Sequence, residues 1–167
     1  MTRPLRWFAR GVFLALVLVL LACGRTPAPI EYGSEGCDYC RMEITDPRYG
    51  AQLVTSTGKV HAFDSVECLA SFAASMPADR TRAILVSDFA NPGTMLPVEA
   101  ARFHRDTRRS GPMGGGILAV SRTADSTWVA HNVRGAALAW DEVRALAAAG
   151  EFHSAASLTA GEHRVER

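Results

Sequence analysis

The sequence predicts an α+β protein with small sheets. Its 167 residues suit one compact domain or two very small ones. Short strand-like runs bounded by turn residues alternate with segments of helical periodicity. The order strand, turn, strand, helix occurs over residues 51–76 and again over residues 117–149. No clear residue-level repeat accompanies this order, so duplication is only suggested.

Residues 1–22 have the pattern of a lipoprotein signal peptide. Three arginines precede an apolar run, residues 11–21, that is too short to cross a bilayer as a regular helix. The run ends in residues 20–23 (LLAC), the lipobox of bacterial lipoproteins, in which Cys23 receives the lipid. An ordinary secretory leader is the alternative. Gly24 favours the outer membrane of a Gram-negative cell, so we expect a periplasm-facing, lipid-anchored protein.

Residues 23–36 are rich in proline, glycine and serine, and they predict a lipid-anchored tether. The chain has 18 basic and 17 acidic residues, and three of the basic ones lie in the signal peptide. The remaining chain therefore has 15 basic residues against 17 acidic ones, a net charge of −2. This balance, with no interleaving of aromatic and basic residues, excludes a basic nucleic-acid surface.

The first folded elements follow the tether. Residues 37–42 (CDYCRM) predict a knuckle-like turn. Alternating apolar residues predict a β-hairpin over 51–63. Residues 65–76 have helical spacing, with Asp64 as the expected N-cap and Glu67 completing a capping box. The apolar run 83–86 predicts a central strand.

The second half begins at the turn 91–93 (NPG). A short helix is expected over 97–105, because proline is favoured in a first helical turn. A glycine-rich loop (SGPMGGG) leads into a strand over 117–120, and a second strand is expected over 127–133. An alanine-rich helix over 139–149 ends at Gly150, and the tail to residue 167 is expected to be partly loose.

Sulfur is concentrated in residues 37–42, which contain two thiols and one thioether. The acylated Cys23 is a thioether and cannot act as a thiolate, so three of the four cysteines remain. Three is an odd number for an exported protein, in which disulfides need pairs. Either one thiol stays free, or the three act together on a metal ion.

Thiolate and thioether sulfur prefer Cu(I) over hard cations, and thioether is a poor ligand for Zn(II). Met113 is flanked by Pro112 and three glycines, in a loop with no core to fill. Cys68 falls in the first turn of the predicted helix. We therefore predict a Cu(I) site whose candidate ligands are Cys37, Cys40, Met42, Met113 and Cys68.

Other interpretations of the same residues stay open. Three thiolates and the imidazole of His61 would suit a structural zinc site. Cys37 and Cys40 could form a disulfide in an oxidising compartment, which would not exclude a metal role after reduction. Met42 and Met113 could also be packing residues.

The chain resembles the NosL lipoproteins, accessory proteins of nitrous oxide reductase maturation. The resemblance lies in the lipobox, in CDYCRM, in residues 50–52 (GAQ), in residues 63–68 (FDSVEC), in residues 88–89 (DF) and in residues 111–115 (GPMGG). It implies a Cu(I) chaperone, not an enzyme, that supplies the copper–sulfide centre of the reductase alongside an ABC-type assembly complex. It also implies two small ββαβ modules similar to organomercurial lyase, which we place at residues 37–90 and 91–167.

In this resemblance Met113 matches the methionine of a glycine-rich copper loop, and Cys37 and Cys40 match a thiol pair. Some members have a histidine near that methionine, and this loop has none. The third ligand therefore stays open among Cys37, Cys40, Met42 and His131. The lyase-like fold keeps one enzymatic alternative, in which Cys68 and Asp64 would imitate a site that cleaves carbon–mercury bonds.

Overall fold

A computed structural model describes residues 27–152 of the chain. The predicted signal peptide, the lipid-attachment site Cys23, the first residues of the tether and the tail from residue 153 lie outside the described residues. Within the described range, no helix has both the length and the apolar character needed to cross a bilayer.

The first sheet has four antiparallel strands in the order β2-β1-β3-β4. The strands are β1 (Ala51–Thr55), β2 (Val60–Phe63), β3 (Thr81–Ser87) and β4 (Met95–Pro97). The predicted hairpin over 51–63 is confirmed, with Leu53 opposite His61 in its register. The apolar run 83–86 lies in β3, an interior strand, as expected.

Helix α1 (Val66–Ala74) follows the hairpin, but its predicted cap is wrong. The N-cap is Ser65, whose hydroxyl accepts a hydrogen bond from the backbone N–H of Cys68 at 3.2 Å. Asp64 lies one residue earlier and is buried. Glu67 forms no capping box, because its carboxylate turns towards Ile117 and accepts a hydrogen bond from that backbone N–H at 3.0 Å.

The second sheet contains β5 (Ala101–Arg105), β6 (Ile117–Ser121) and β7 (Ala137–Leu138), in the order β6-β5-β7. The helix expected over 97–105 is therefore wrong: a 3-10 turn at Val98–Ala100 leads directly into β5. β5 pairs with a strand on each side and buries Phe103 completely. These non-local pairings outweigh the local helical signal.

The strand expected over 127–133 is also wrong, because these residues belong largely to helix α2 (Ser126–Asn132). Asp125 caps this helix by accepting hydrogen bonds from the N–H groups of Thr127 at 2.7 Å and Trp128 at 3.4 Å. Helix α3 (Trp140–Ala148) agrees with the predicted alanine-rich helix. Gly150 follows it with φ +79°, a left-handed conformation that favours glycine.

The element order ββαβ occurs twice, as β1β2α1β3 and as β5β6α2β7. In each unit the first strand lies between the other two. The predicted α+β class with small sheets is confirmed, although the second unit begins at residue 101 rather than at residue 117. The division of the chain at residues 90 and 91, and the likeness to organomercurial lyase, stay predictions.

The two units share one hydrophobic core. Its buried members include Leu53 and Leu69 from the first unit, Phe103 from the second, and Val143 from α3. Helix α3 packs against α1, and α1 also contacts β6. The first helix is consequently enclosed on several sides, and the site described next lies at its beginning.

Candidate metal centre

The segment that carries Cys37 and Cys40 is a closed turn. The N–H of Cys37 donates to the carbonyl of Met42 at 2.8 Å, and the N–H of Arg41 donates to the carbonyl of Cys37 at 3.0 Å. Arg41 has φ 67°, the left-handed value that lets the chain reverse. Gly36 and Glu43 form an antiparallel bridge at the base of the turn. The predicted knuckle-like turn is confirmed.

Hairpin contacts hold this turn in place. The N–H of Asp38 donates to the carbonyl of Ala62 at 2.9 Å. The Asp38 carboxylate also lies 2.7 Å from Nδ1 of His61, which is buried. The His61 ring packs against Phe72 of α1, with ring centroids 4.8 Å apart. Asp38 of the CxxC turn therefore contacts the hairpin through Ala62 and His61, and His61 in turn contacts α1 through Phe72.

This arrangement brings three sulfur atoms together. The Sγ atoms of Cys37, Cys40 and Cys68 all lie within 4.8 Å of one another. Cys37 and Cys68 are fully buried, whereas Cys40 is half-buried. In the described part of the chain, no histidine or carboxylate completes this group as a fourth donor. All three cysteines are free thiols, so no Cys37–Cys40 disulfide is present.

The three thiols differ in acidity. A hydrogen bond from Cys68 lowers the pKa of Cys37 to about 5, and the backbone N–H groups of Asp64, Cys40 and Tyr39 help against the opposing effect of burial. The same hydrogen bond, followed by burial, raises the pKa of Cys68. Burial raises the pKa of Cys40. One thiolate, Cys37, is therefore ready for a metal at neutral pH, beside two protonated thiols.

Two buried carboxylates accompany the thiols. Burial, followed by the charges of Cys37 and Glu67, raises the pKa of Asp64 to about 6. Burial also raises the pKa of Glu67, partly offset by the N–H of Ile117. Asp64 Oδ1 and Glu67 Oε2 are buried without a hydrogen-bond partner. A buried carboxylate oxygen without a hydrogen-bond partner is unfavourable, and both of these oxygens lie close to the residues that carry the thiols.

The two methionines occupy different surroundings. Met42 is exposed, with 46% of its surface accessible, at the end of the CxxC turn. Met113 is half-buried and packs against the hydrophobic cluster that includes Cys37 and Cys68. It also lines a cavity of about 190 Å³ with Arg105 and Phe152, and none of the cysteines borders that cavity. Ligand roles for Met42 and Met113 stay predictions.

Glu67 connects the Met113 loop to α1. It precedes Cys68 in the helix, and its Oε1 accepts from Ile117 N at the end of the glycine-rich loop. A Cβ atom at Gly115 would lie 2.7 Å from that oxygen. The loop therefore rests on the helix turn that carries Cys68 only because residue 115 has no side chain.

Sequence reasoning missed the pairing of His61 with Asp38 and the contact of Glu67 with the glycine-rich loop. Both join segments that are distant in sequence, and no local pattern signals them. His61, the alternative zinc ligand, contacts Asp38 through Nδ1 and does not belong to the group of donors that the three thiols form. His131 lies exposed on α2 and does not join the thiols.

The fold and the thiol cluster define a class: a small α+β protein with a three-cysteine site that is compatible with metal binding. The family model named NosL matches residues 27–147. The chain therefore belongs to the NosL family, and the resemblance found in the sequence is confirmed.

A solved structure agrees with this assignment. The chain is similar to the crystal structure of the copper chaperone NosL from Shewanella denitrificans, with 25% sequence identity and a TM-score of 0.60. The match covers 70% of this chain and 94% of that one. None of the curated proteins matches the chain.

Proposed function

We propose that this protein is a Cu(I) metallochaperone, a carrier rather than an enzyme, whose cargo is held by Cys37, Cys40 and Cys68. The observation that carries the proposal is the convergence of three thiol sulfurs within 4.8 Å, with no fourth donor from a histidine, cysteine or carboxylate in residues 27–152. Membership of the NosL family and the likeness to a copper chaperone support the same metal.

The donor set favours copper over zinc. Structural zinc is almost always held by four ligands in a closed tetrahedron. Three sulfur donors suit Cu(I), which prefers soft ligands. A zinc-dependent interaction module remains the alternative, and it would require a donor that the described residues do not add to the thiols.

The different acidities of the thiols suggest how the ion enters. The Cys37 thiolate binds Cu(I) first, and the bound cation then displaces the proton of Cys40, which leaves to solvent. Cys68, whose pKa is raised by its hydrogen bond with Cys37 and by burial, completes the set as the third ligand. Release runs in the reverse direction, with a sulfur of the receiving protein replacing Cys40, the half-buried ligand.

The test is a competition titration of reduced, anaerobic protein against a coloured Cu(I) chelator. The Cys37/Cys40 double serine variant is expected to lose tight binding. Met113→Ala and Met42→Ala are expected to weaken binding to a smaller extent. Unchanged affinity in the double variant would remove the assignment of the site. Native mass spectrometry with Cu(I) and Zn(II) offered together decides the metal, and one equivalent of zinc retained over copper would favour the alternative.

We further propose that the carrier faces the periplasm, anchored by lipid on Cys23 to a membrane, with the outer membrane favoured. A tether raises the effective concentration of the carrier near its client. The proposed client is nitrous oxide reductase, reached together with an ABC-type assembly complex. The test is the copper content of that reductase in cells whose own carrier is replaced by this chain or by its Cys68→Ser variant. Equal copper content with both chains would reject the proposed client.

A further inference from the structure

The segment that precedes the CxxC turn is fastened to the first sheet. We call residues 28–32 the strap. The carbonyl of Ala28 accepts a hydrogen bond from Nε2 of Gln52, a buried residue of β1, at 2.8 Å. At the other end of the strap, the Tyr32 hydroxyl lies so close to Gly50 that a Cβ atom there would be 2.5 Å from it. The chain therefore belongs to the folded body from Ala28 onwards.

The strap runs antiparallel to β1. Tyr32 lies beside Gly50, whereas Ala28, four residues earlier in the strap, lies beside Gln52, two residues later in sequence. Ala28 also precedes Pro29, and the residue before a proline favours an extended backbone. Followed towards its N-terminus, the strap therefore points to the end of β1, where the turn of the hairpin lies.

The two ends of this hairpin differ in what they carry. Val54 and Val60 pair beside the hairpin turn. At the other end, Phe63 is followed by Asp64, whose backbone N–H donates a hydrogen bond to the sulfur of Cys37. Three residue steps separate Val60 from Phe63, which is roughly 10 Å along a strand. The thiols therefore lie at one end of the hairpin, and the strap points to the other.

The distance from the proposed lipid to the folded body is short. Five residue steps separate Cys23 from Ala28, and they span at most about 18 Å when fully extended. A folded body of this size is about 35 Å across, so it cannot turn its far side to the bilayer. The hairpin turn, residues 55–59 (TSTGK), contains hydroxyl groups, one lysine and no acidic residue, which suits an anionic lipid surface.

We propose that the hairpin turn faces the lipid bilayer and that the thiol centre faces away from it. This inference rests on the lipid proposed for Cys23, and it adds the surface that meets the membrane. A long flexible tether would present every face of the protein to the bilayer in turn. The strap removes that freedom, so a receiving protein reaches Cys40 from the aqueous side.

The experiment places the lipidated full chain in nanodiscs of phosphatidylethanolamine and phosphatidylglycerol, with a nitroxide on some of the headgroups. NMR relaxation is measured on the methyl groups of Thr57 in the hairpin turn and of Met42 in the CxxC turn, since both residues are exposed. The nitroxide is expected to relax the Thr57 methyl group several-fold faster than that of Met42. Equal rates, or the reverse order, would overturn the proposal.

A longer anchor tests the cause of this orientation. A ten-residue Gly-Ser insertion after Gly24 adds roughly 17 Å of average span, so the two relaxation rates should approach each other. The same insertion after Gly161, in the C-terminal tail, is the matched control and should leave their difference unchanged. A difference that survives the insertion after Gly24 would overturn the proposed role of the strap.

Cys23→Ser separates this inference from the proposal on which it rests. If this variant stays on the nanodiscs as the parent does, lipid anchoring fails and the orientation fails with it. If only the parent is retained and its Thr57 and Met42 methyl groups relax equally, lipid anchoring stands and the orientation alone is wrong.

Discussion

Asp64 follows the last residue of β2 in the first unit, and Asp106 follows the last residue of β5 in the second. Both are buried. Asp106 accepts hydrogen bonds from the Arg108 side chain at 3.0 Å and from the N–H of Arg134 at 3.0 Å, and these contacts lower its pKa to about 2. Asp64 has an oxygen without a partner and a pKa raised to about 6.

The helices of the two units also differ in how deeply they are buried. Most residues of α1 are buried, whereas none of α2 is. The enclosed helix carries Cys68, and the open helix carries no metal ligand of the site. The comparison shows that arginines neutralise the buried carboxylate Asp106 of the second unit, whereas the buried carboxylate Asp64 of the first unit has an oxygen without a partner. Such locally unfavourable groups are typical of functional sites.

The largest expected difference between the units concerns copper. Cys68→Ser should weaken Cu(I) binding by more than the roughly 10–100-fold typical of losing an outer-shell contact, because the variant removes one of the three proposed ligands. Thr127→Ser, a matched change on the exposed face of α2, should leave affinity unchanged. Chelator competition measures both. Equal affinities in the two variants would mean that the enclosed helix has no special role in binding.

The next largest effect is expected for Asp106→Asn, and it concerns stability. The change removes the charge that two arginines and two backbone N–H groups contact, so the free energy of unfolding at neutral pH should fall by about 1–3 kcal/mol. The folded pKa of Asp106 is depressed, so its contribution is present above the unfolded value of 3.8 and is lost as pH falls towards 2. Urea unfolding at several pH values measures this. A variant as stable as the parent would show that Asp106 is not a structural charge.

Gly115→Ala tests the contact between the units. The added methyl group would lie 2.7 Å from Glu67 Oε1 and must displace that side chain from Ile117. Overpacking of this kind costs about 1–3 kcal/mol, and a flexible carboxylate places this case at the lower end. Gly36→Ala is the control, because nothing lies within 4 Å of a Cβ there. Thermal unfolding of the two variants should therefore differ, and equal midpoints would contradict the contact.

The smallest expected effect is an increase in stability, from the change Asp64→Asn. Asp64→Asn removes a carboxylate that is unfavourable when ionised, so the free energy of unfolding at neutral pH should rise by about 1 kcal/mol. This is less than the raised pKa of Asp64 would imply by itself, because solvent partly screens the charge. The folded pKa is raised, so the parent loses stability as pH rises from 3.8 to about 6. The variant should lack this loss. Chemical unfolding across that window compares the two profiles, and parallel profiles would show that Asp64 does not titrate as described.

Several elements follow from local sequence alone. The hairpin, α1, β6 and α3 have clear periodicity and clear ends, and they lie where the sequence predicts them. Local sequence predicts the wrong element for two segments, residues 97–105 and residues 127–133. The first becomes β5 because strands on both sides pair with it, and the second becomes α2 because Asp125 caps it despite β-branched and aromatic residues. Pairing partners far along the chain are absent from a local pattern.

The candidate site divides in the same way. Residue chemistry identifies Cys37, Cys40 and Cys68 as candidates, and the structure brings their sulfurs together. Their convergence could not be derived from spacing, because it depends on the hairpin carrying the turn to the start of α1. The contacts of Asp38 with His61 and of Glu67 with the Met113 loop are tertiary in the same sense.

The CxxC turn is closed by its own backbone, through the bond from Cys37 N–H to the Met42 carbonyl and the bridge between Gly36 and Glu43. If Cu(I) binds as proposed, it finds its ligands already ordered and loses little binding free energy to chain entropy. Zinc fingers behave differently, because their chain unfolds when the metal is withdrawn. Here the emptied protein should keep its shape, so that one molecule can load and unload repeatedly without refolding between cycles.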